Sequence, residues 1–386
     1  MAFFNCNRIR LWWIAVTLPV LLVLLSADVQ ADTEQARVKL GPWVDQLEVG
    51  PKMNAAGKCL RDSEFVGQDI SRAVFDGCDL QDVRIHDCNL SNASFKGARL
   101  TGALIGDCKI DGADFTDAVI NGVKSSIGGH AHDLCLSEPQ LMSTRSYRTK
   151  DLSNCVIYGD GCRNNRSNGS TSPPIYNFTH ANLRNATFIG GNYSVCDFTD
   201  ADITGAKFYW CIVPFERLAL TKSYRMGALR EMRFSGVALE GKVSFSGKNL
   251  KGSTFLCRLP KADFNGADIT ACTFARAMTT EQLRTTKNYR EGNLSGITFM
   301  RIDLSGCDLS RQNLTGSKFA QCDFTGANLE DAVITDTHFA RVPFGDSTGL
   351  RADQIKGTWN YKNRRMEGVV LPKDIADALS EKEPSP

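Results

Sequence analysis

Large apolar residues recur at every fifth position over a long stretch of this chain. The first run fills thirteen successive positions: Leu60, Phe65, Ile70, Phe75, Leu80, Ile85, Leu90, Phe95, Leu100, Ile105, Ile110, Phe115 and Ile120. A period of five fits neither the 3.6-residue turn of an α-helix nor the two-residue alternation of a β-strand. Such regular self-similarity is typical of repeat architectures, so this period constrains the fold more than any other feature does.

The residue two places before these apolar positions is frequently small. Ala or Cys stands there at Ala73, Cys78, Cys88, Ala93, Ala98, Ala103, Cys108, Ala113 and Ala118. Residues two apart point to the same face of an extended segment, so the small and the large side chain both point inward. The other three residues of each unit are mostly polar and are expected to face water or turn a corner. Because the chain bends once in every unit, it winds around an axis. Its backbone then pairs between successive coils, which lie about 4.8 Å apart.

This unit resembles that of the pentapeptide-repeat family, which is Ala, then Asp or Asn, then Leu or Phe, then two polar residues. Segments 113–117 (Ala-Asp-Phe-Thr-Asp), 201–205 (Ala-Asp-Ile-Thr-Gly) and 327–331 (Ala-Asn-Leu-Glu-Asp) match it closely. The resemblance implies an all-β solenoid, namely a right-handed quadrilateral β-helix with four units per coil. In this chain it would carry short helical insertions and terminal caps.

The repeat continues, with slips, through most of the chain. Later units are centred on Leu152, Ile157, Phe178, Leu183, Phe188, Tyr193, Phe198, Ile203, Phe208, Leu229, Phe234, Leu239, Phe245, Leu250, Phe255, Phe264, Ile269, Phe274, Leu294, Phe299, Leu304, Leu309, Leu314, Phe319, Phe324, Leu329, Ile334, Phe339 and Phe344. Together with the first run these make 42 units. Four units per coil predict about ten coils and a rod on the order of 50 Å long.

Four interruptions of the repeat share one pattern of residue types at fixed offsets. The copies are Leu141, Thr144, Tyr147, Arg148, Leu152; Leu218, Thr221, Tyr224, Arg225, Leu229; Leu283, Thr286, Tyr289, Arg290, Leu294; and Ile355, Thr358, Tyr361, Lys362, Met366. Ser137 with Gln140 has the spacing of a capping box, as does Thr279 with Gln282, which predicts a short helix starting at each. We interpret each copy as a helical excursion whose Tyr is a structural anchor for the chain's return to the interior.

Two interpretations of the excursions remain open. Insertions in solenoids normally fall in loops, which favours a purely structural role in which each excursion covers the edge of a coil. Alternatively, the basic residue after each Tyr belongs to a ligand-binding ridge along one side of the rod. Its members would be Arg148, Arg225, Arg290 and Lys362. Such a stripe attracts anions, although salt screens the attraction beyond about 10 Å.

These interruptions also divide the chain. We expect a signal peptide (1–31), an N-terminal cap (32–58), repeats (59–136), a helical insertion (137–151), repeats with a polar loop at 158–177 (152–213), a second insertion (214–228), repeats (229–278), a third insertion (279–293), repeats (294–348), and a C-terminal cap and tail (349–386).

The N-terminal segment has the features of a secretory signal. Arg8 and Arg10 precede fifteen mostly apolar residues, 11–25, which is short for a membrane span, and the small residues around Ala31 fit a cleavage site. An uncleaved anchor is the alternative, and no later segment is apolar enough to span a bilayer. Removal of 1–31 leaves 43 basic against 42 acidic residues, a balance that argues against a nucleic-acid partner.

Most of the cysteines are explained by the repeat. Cys78, Cys88, Cys108, Cys155, Cys196, Cys272, Cys307 and Cys322 occupy the small interior position and are expected to be buried free thiols. Cys88 and Cys108 stack one coil apart, but parallel Cβ vectors disfavour a disulfide. The better disulfide candidates lie off that position and are Cys59, Cys135, Cys162, Cys211 and Cys257.

The sequence gives no support for catalysis. It contains no nucleophile elbow, phosphate-binding glycine loop or zinc-protease helix. His130, His132 and Cys135 resemble metal ligands, but they lie in a Gly-rich exit from the first run without a second ligand pair. We therefore predict no catalytic residue, no metal, no cofactor and no enzyme. A carbohydrate-active enzyme is a further alternative, because other β-helices host paired carboxylates that cleave sugars.

Two function classes follow. The preferred one is a non-catalytic scaffold or binding protein, secreted or in the periplasm or cell envelope, that contacts another protein or an envelope polymer. The other is implied by the resemblance, since some family members mimic duplex DNA and inhibit type II topoisomerases. Those proteins are cytoplasmic and acidic. This chain has a predicted export signal and a net charge of +2, although residues 60–124 carry eleven acidic against seven basic residues.

Overall fold

The computed structural model describes residues 37–44, 46–124, 134–159, 175–259, 261–340 and 346–380. The predicted signal peptide lies outside these residues. So do His130, His132, Cys162, the repeat position Phe344 and most of the predicted polar loop. The described residues form the predicted all-β solenoid with short helical insertions.

Fourteen strands of three residues each run along the described part of the solenoid. They are β1 Arg37–Lys39, β2 Glu64–Val66, β3 Arg84–His86, β4 Leu104–Gly106, β5 Val156–Tyr158, β6 Thr187–Ile189, β7 Lys207–Tyr209, β8 Ile212–Pro214, β9 Arg233–Ser235, β10 Ala238–Glu240, β11 Thr254–Leu256, β12 Thr273–Ala275, β13 Thr298–Met300 and β14 Lys318–Ala320. The strand orders of the sheets are β1-β2-β3-β4, β10-β8 and β14-β13-β12-β11-β9-β7-β6-β5. Only β1 pairs antiparallel among these strands, and it covers β2 at the N-terminal end.

Each coil has four faces, numbered here from the face that contains most of the strands. In the first run, face 1 contains Phe65, Ile85 and Ile105; face 2 contains Ile70, Leu90 and Ile110; face 3 contains Phe75, Phe95 and Phe115; and face 4 contains Leu80, Leu100 and Ile120. Twelve of the thirteen apolar positions in this run are buried, and Ile110 is half-buried. The prediction that these side chains form the core is therefore confirmed.

The corners between faces are tight turns, as the polar residues predict. At one corner the Ala73 N–H donates to the Ile70 carbonyl (3.2 Å), and Arg72 between them has a φ of 57°. Equivalent positions hold Gly, Asp or Asn in most coils, because these residues adopt positive φ at the lowest cost. Every unit therefore needs its polar residues for the turn itself.

Phenylalanine rings form a continuous column on face 1. The rings of Phe188, Phe208, Phe234, Phe255, Phe274, Phe299, Phe319 and Phe339 stack with successive centroids 4.8–6.2 Å apart and interplanar angles of 5–20°. A shorter column of Phe75, Phe95 and Phe115 lies on face 3, with centroids 4.9 Å apart. Parallel pairing in register forces each ring to lie directly over its equivalent in the next coil.

The cysteines partly contradict the sequence analysis. The thiols predicted to be free are free, and Cys88 and Cys108 are unbonded. Three predicted disulfide candidates are wrong: Cys59, Cys211 and Cys257 are also free. Cys211 and Cys257 are buried because they stand two places before Val213 and Leu259, which are apolar residues of face 2. The period of five slips at these points, so the sequence pattern does not reveal these two units. Cys135 is in a disulfide, and none of the other described cysteines is its partner.

Nine short helices are found among the described residues. They are α1 Glu138–Ser143, α2 Arg145–Arg148, α3 Phe215–Ala219, α4 Lys222–Arg225, α5 Thr280–Thr285, α6 Lys287–Arg290, α7 Ala352–Lys356, α8 Trp359–Lys362 and α9 Lys373–Ser380. The predicted capping boxes at Ser137 and Thr279 are confirmed at the starts of α1 and α5. No helix within the described part of the chain has the length and apolarity needed to cross a bilayer.

The rod is longer than predicted. Face 4 holds fourteen successive residues: Leu60, Leu80, Leu100, Ile120, Leu152, Leu183, Ile203, Leu229, Leu250, Ile269, Leu294, Leu314, Ile334 and Met366. The prediction of ten coils was wrong because it counted only five-residue units, whereas each helical excursion also completes a coil. These fourteen positions are separated by thirteen coil spacings, which together span about 60 Å.

Candidate functional site

Four pairs of helices protrude from one side of the rod, and we call them ledges. Ledge 1 comprises residues 137–150, ledge 2 residues 214–227, ledge 3 residues 279–292 and ledge 4 residues 351–365. Each replaces parts of faces 2 and 3 and returns to face 4 at Leu152, Leu229, Leu294 or Met366. Two ordinary coils separate consecutive ledges, so a ledge recurs at every third coil, about 14 Å along the axis.

The first helix of each ledge is fastened to the coil below by a long polar side chain. The Gln140 Nε2 donates to the carbonyls of Ile110 (3.3 Å) and Ala113 (2.9 Å). Gln282 and Gln354 make equivalent pairs of bonds, and in ledge 2 the Arg217 Nε donates to the Ser194 carbonyl (3.1 Å). The capping-box glutamine therefore has two tasks, since it caps the helix and satisfies carbonyls that have no coil above them.

A buried threonine connects the two helices of each ledge. In ledge 3 the Thr286 hydroxyl donates to the Leu283 carbonyl (2.7 Å) and accepts from the Tyr289 N–H (3.3 Å). Thr144, Thr221 and Thr358 do the same in the other ledges, and all four are fully buried. The hydroxyl thus satisfies the end of one helix and the start of the next.

The residue before the tyrosine replaces a missing backbone acceptor, which the sequence analysis did not identify. In each ledge its side-chain oxygen accepts the hydrogen bond of an isoleucine N–H on face 4 of the coil below. The pairs are Ile120 with Ser146 (3.0 Å), Ile203 with Ser223 (2.9 Å), Ile269 with Asn288 (2.7 Å) and Ile334 with Asn360 (2.6 Å). These four Ser and Asn residues are buried. A small polar residue before every Tyr was the available signal.

The four tyrosines point into the coil interior on face 3. The Tyr147 hydroxyl accepts from the Asn177 N–H (2.8 Å). The hydroxyls of Tyr224 and Tyr289 donate to the carbonyls of Ser244 (3.0 Å) and Asp308 (2.5 Å) in the next coil. Burial raises the pKa of Tyr147, Tyr224 and Tyr289. Tyr361 is half-buried against the core.

The basic residues of the predicted ridge lie at the corner between faces 3 and 4, each above an acceptor in the coil below. Arg148 and Arg225 form ion pairs with Asp117 and Asp200. Lys362 pairs with Asp331 (2.8 Å) and with Glu330, while the Arg290 Nη2 donates to the Asn265 Oδ1 (2.8 Å). The four basic side chains are therefore aligned along one corner of the rod, and each already binds an acceptor within the protein.

The carboxylates beneath the ridge respond to this pairing. Hydrogen bonding from Arg145, reinforced by Arg148, lowers the pKa of Asp117. The hydrogen bond from Lys362 likewise lowers the pKa of Asp331, and the same bond raises the pKa of Lys362. These groups remain charged at neutral pH. The side chains of Arg148, Arg225 and Lys362 are still 41–54% exposed, and Arg290 is exposed as well.

The ledges nevertheless carry a clear excess of positive over negative charge. Together they contain fourteen Lys or Arg residues against five Asp or Glu, whereas the whole chain has a net charge of only +2. They also hold four of the large exposed apolar side chains: Met142, Leu220, Met226 and Trp359. Positive charge next to exposed apolar surface is suited to binding a partner rather than to covering a coil edge alone.

An open groove of about 650 Å³ lies beside α4 of ledge 2. It is lined by His180, Ala181, Asn182, Arg184, Asp200, Asp202 and Lys222. It is formed by two neighbouring coils, in which Asn182 pairs with Asp202, and by Lys222 of ledge 2.

Comparison with known proteins agrees with this geometry. Three segments, residues 59–97, 177–212 and 293–339, match the family described as Pentapeptide repeats, in 8 copies. No curated protein matches the chain.

Several solved structures are similar to it. HetL, a pentapeptide repeat protein involved in heterocyst differentiation regulation from the cyanobacterium Nostoc sp. strain PCC 7120, is 16% identical, with 73% of this chain and 86% of HetL covered and a TM-score of 0.19. Full-length QnrB1, a plasmid-mediated fluoroquinolone resistance protein, is 17% identical, with 82% and 94% covered and a TM-score of 0.14. A trypsin-treated QnrB1 variant is 23% identical, with 52% and 87% covered and a TM-score of 0.23.

The family match and the four-sided coils agree on the architecture. This chain contains pentapeptide repeats that fold into a right-handed quadrilateral β-helix.

Proposed function

We propose that this protein is an exported, non-catalytic scaffold that binds an anionic polymer of the cell envelope along its ledges. The observation that carries the proposal is the recurrence of a basic ledge at every third coil on one side of the rod. A linear polymer laid along this side would meet four positive steps over about 43 Å, and its several weak contacts would add by avidity.

The repeat gives many exposed polar groups a structural role. The Asp303 Oδ1 accepts from both the N–H (2.9 Å) and the hydroxyl (2.6 Å) of Ser305, and Asp308 accepts from the Ser310 N–H. These bonds stabilise the corner turns and lower the pKa of both carboxyl groups, the serine hydroxyl bond contributing most. A carboxylate held in its ionised form by a turn is a poor general acid, which supports a non-catalytic role.

The DNA-mimicking alternative is less well supported by the charge distribution. A duplex mimic needs a continuous acidic surface, whereas the carboxylates of Asp117, Asp200 and Asp331 are paired with ledge cations. Acidic residues exceed basic ones in residues 60–124, by eleven to seven, and in residues 293–350, by seven to four, so the acidic excess is split between two regions with basic ledges between them.

Binding to alginate, a polyuronate, compared with neutral dextran of the same length tests the proposal. We expect salt-sensitive binding to alginate only. Replacing Arg148, Arg225, Arg290 and Lys362 with Gln should weaken it by roughly tenfold or more. The matched control replaces four exposed basic residues off the ledges with Gln: Lys58, Arg99, Lys207 and Lys318.

Equal losses of alginate affinity in the two quadruple variants would contradict specific binding along the ledges. Such a result would leave only a general attraction between charges. Inhibition of a type II topoisomerase by the purified chain would instead favour the DNA mimic. Export is tested separately by the mass of the mature protein. A product that starts after Ala31 supports it, and one that still starts at Met1 contradicts cleavage.

A further inference from the structure

A histidine and two aspartates meet at the corner between faces 1 and 2 of the early coils, far along the sequence from every ledge. His86 ends β3, Asp87 follows it, and Asp107 is the equivalent of Asp87 one coil later. The His86 Nδ1 lies 3.4 Å from the Asp87 Oδ2, and its Nε2 lies 3.0 Å from the Asp107 Oδ2. One ligand atom from each residue can be chosen so that all three lie within 4.8 Å of one another.

We propose that His86, Asp87 and Asp107 bind one divalent transition-metal ion, for which Zn²⁺ is the most suitable probe. This group is the one set of three or more potential metal ligands that the described residues bring so close together. The proposal does not depend on the proposed function, because it concerns a different corner of the rod.

The repeat explains why these side chains converge. Asp87 and Asp107 occupy the same turn position in successive coils, both with a φ of 54°, so their carboxylates stack one coil spacing apart. Two stacked like charges repel each other, and a cation between them relieves that repulsion. The residue paired with His86 in the next coil is Gly106, which has no side chain and leaves space for the imidazole to reach Asp107.

The donor set selects the class of metal. Imidazole with two carboxylates suits Zn²⁺ and its first-row neighbours, whereas Mg²⁺ and Ca²⁺ prefer oxygen ligands alone. Bonds of about 2.0–2.1 Å in a tetrahedral site place ligand atoms about 3.3 Å apart. A single ion takes only one of the two His86 nitrogens, and the three chosen ligand atoms lie within 4.8 Å of one another, so side-chain rotation has to bring them closer for the ion to bind. His86 and Asp107 are about three-quarters or more buried, and Asp87 is 57% exposed, which leaves an entry path from solvent.

A bound ion would join two neighbouring coils near the N-terminal end of the rod. An ion that binds the folded state and not the unfolded chain also raises thermal stability by mass action. The site is therefore a clamp for the early coils.

Calorimetric titration of the full chain with Zn²⁺, and separately with Mg²⁺, tests the proposal. We expect one Zn²⁺ per chain at this site, a rise in Tm with Zn²⁺ concentration and no comparable response to Mg²⁺. His86→Ala and Asp107→Asn should each weaken binding at least about tenfold. Asp87→Asn, at the most exposed ligand, serves as the variant least disturbing to the fold.

His180→Ala is the matched control, because His180 also faces an aspartate, with its Nδ1 3.9 Å from the Asp200 Oδ2, but has no third ligand. It should bind Zn²⁺ as the unchanged chain does. All three site variants keep every cysteine, so a loss of binding cannot come from the thiols. Unchanged Zn²⁺ affinity in His86→Ala, or no Zn²⁺ binding by the unchanged chain, would overturn the proposal.

Discussion

The regular coils of residues 51–124 and the ledge-bearing coils of residues 137–366 share one core design but complete their backbone hydrogen bonds differently. In the regular coils, a face 4 N–H donates to a carbonyl of the next coil, as Leu100 does to Val119 (2.8 Å). Below a ledge, the Ile120 N–H donates instead to the Ser146 Oγ. A solenoid therefore accepts a helical excursion where a side chain supplies the acceptor that the coil has lost.

The two regions also differ in where their rings stack. Ledges interrupt faces 2 and 3, so only faces 1 and 4 are continuous through the second region. The column of eight phenylalanine rings lies on face 1, and face 4 is aliphatic. In the regular coils, face 1 is mixed, with Phe65, Ile85 and Ile105, and the three-ring column lies on face 3. The faces that no ledge interrupts thus hold the core of the second region together.

The largest effect is expected from opening the long ring column. Phe255→Ala removes a fully buried ring that stacks on Phe234 (5.6 Å) and Phe274 (5.3 Å). Loss of the ring and the cavity it leaves should lower the free energy of unfolding by about 3–5 kcal/mol, measured by denaturant titration. Phe95→Ala makes the same change in the regular coils and should cost a similar amount. A loss below about 1 kcal/mol in both variants would show that the columns relax around the gap.

A smaller loss is expected from the substitute acceptor. Asn288→Ala leaves the buried Ile269 N–H without its partner and should lower the free energy of unfolding by about 1–3 kcal/mol. Asn288→Ser supplies the side chain that ledges 1 and 2 use at this position, so it should recover part of the loss. Hydrogen exchange at the Ile269 amide reports the bond directly. If Asn288→Ala leaves that exchange unchanged, the side chain is not the acceptor in solution.

The repeat core was predictable because the residue pattern within each unit determines the local geometry of that unit. A large residue every fifth place, with a small one two before it, requires a chain that bends once per unit. The prediction failed where the unit changes length. Leu259 comes four residues after Phe255, outside the five-residue period. The period alone therefore predicts a disulfide candidate at Cys257, although this residue occupies the small interior position.

The ledges were predictable as helices but not as a regular array. Their leucines and isoleucine, at 141, 218, 283 and 355, are unequally spaced in sequence because the intervening coils differ in length. The regularity of one ledge per three coils exists only in the folded rod. The cluster of His86, Asp87 and Asp107 was missed for a similar reason, since Asp107 meets His86 through the coil stacking rather than through a local motif.

The connecting threonine should matter less than the acceptor. Thr286→Val keeps the volume but removes the hydroxyl that bonds the Leu283 carbonyl and the Tyr289 N–H. A cost of about 1–2 kcal/mol is expected, as for other N-cap substitutions. Thr286→Ser retains the hydroxyl and should recover most of that stability. Equal melting temperatures for the Val and Ser variants would mean that the bonds contribute nothing beyond packing.

The smallest change in stability, together with a gain in binding, is expected from Asp117→Asn. Asp117 and its partners Arg145 and Arg148 are substantially exposed, and ion pairs of this kind contribute little to folding, so Tm should stay nearly constant. The substitution weakens the internal competitor for both arginines, so the affinity of ledge 1 for alginate should rise. Asp69→Asn is the matched control, because it removes the same charge from an exposed site in the regular coils. If both substitutions raise the affinity equally, the effect is one of net charge. A rise confined to Asp117→Asn shows that the ledges, and not the rod as a whole, receive the polymer.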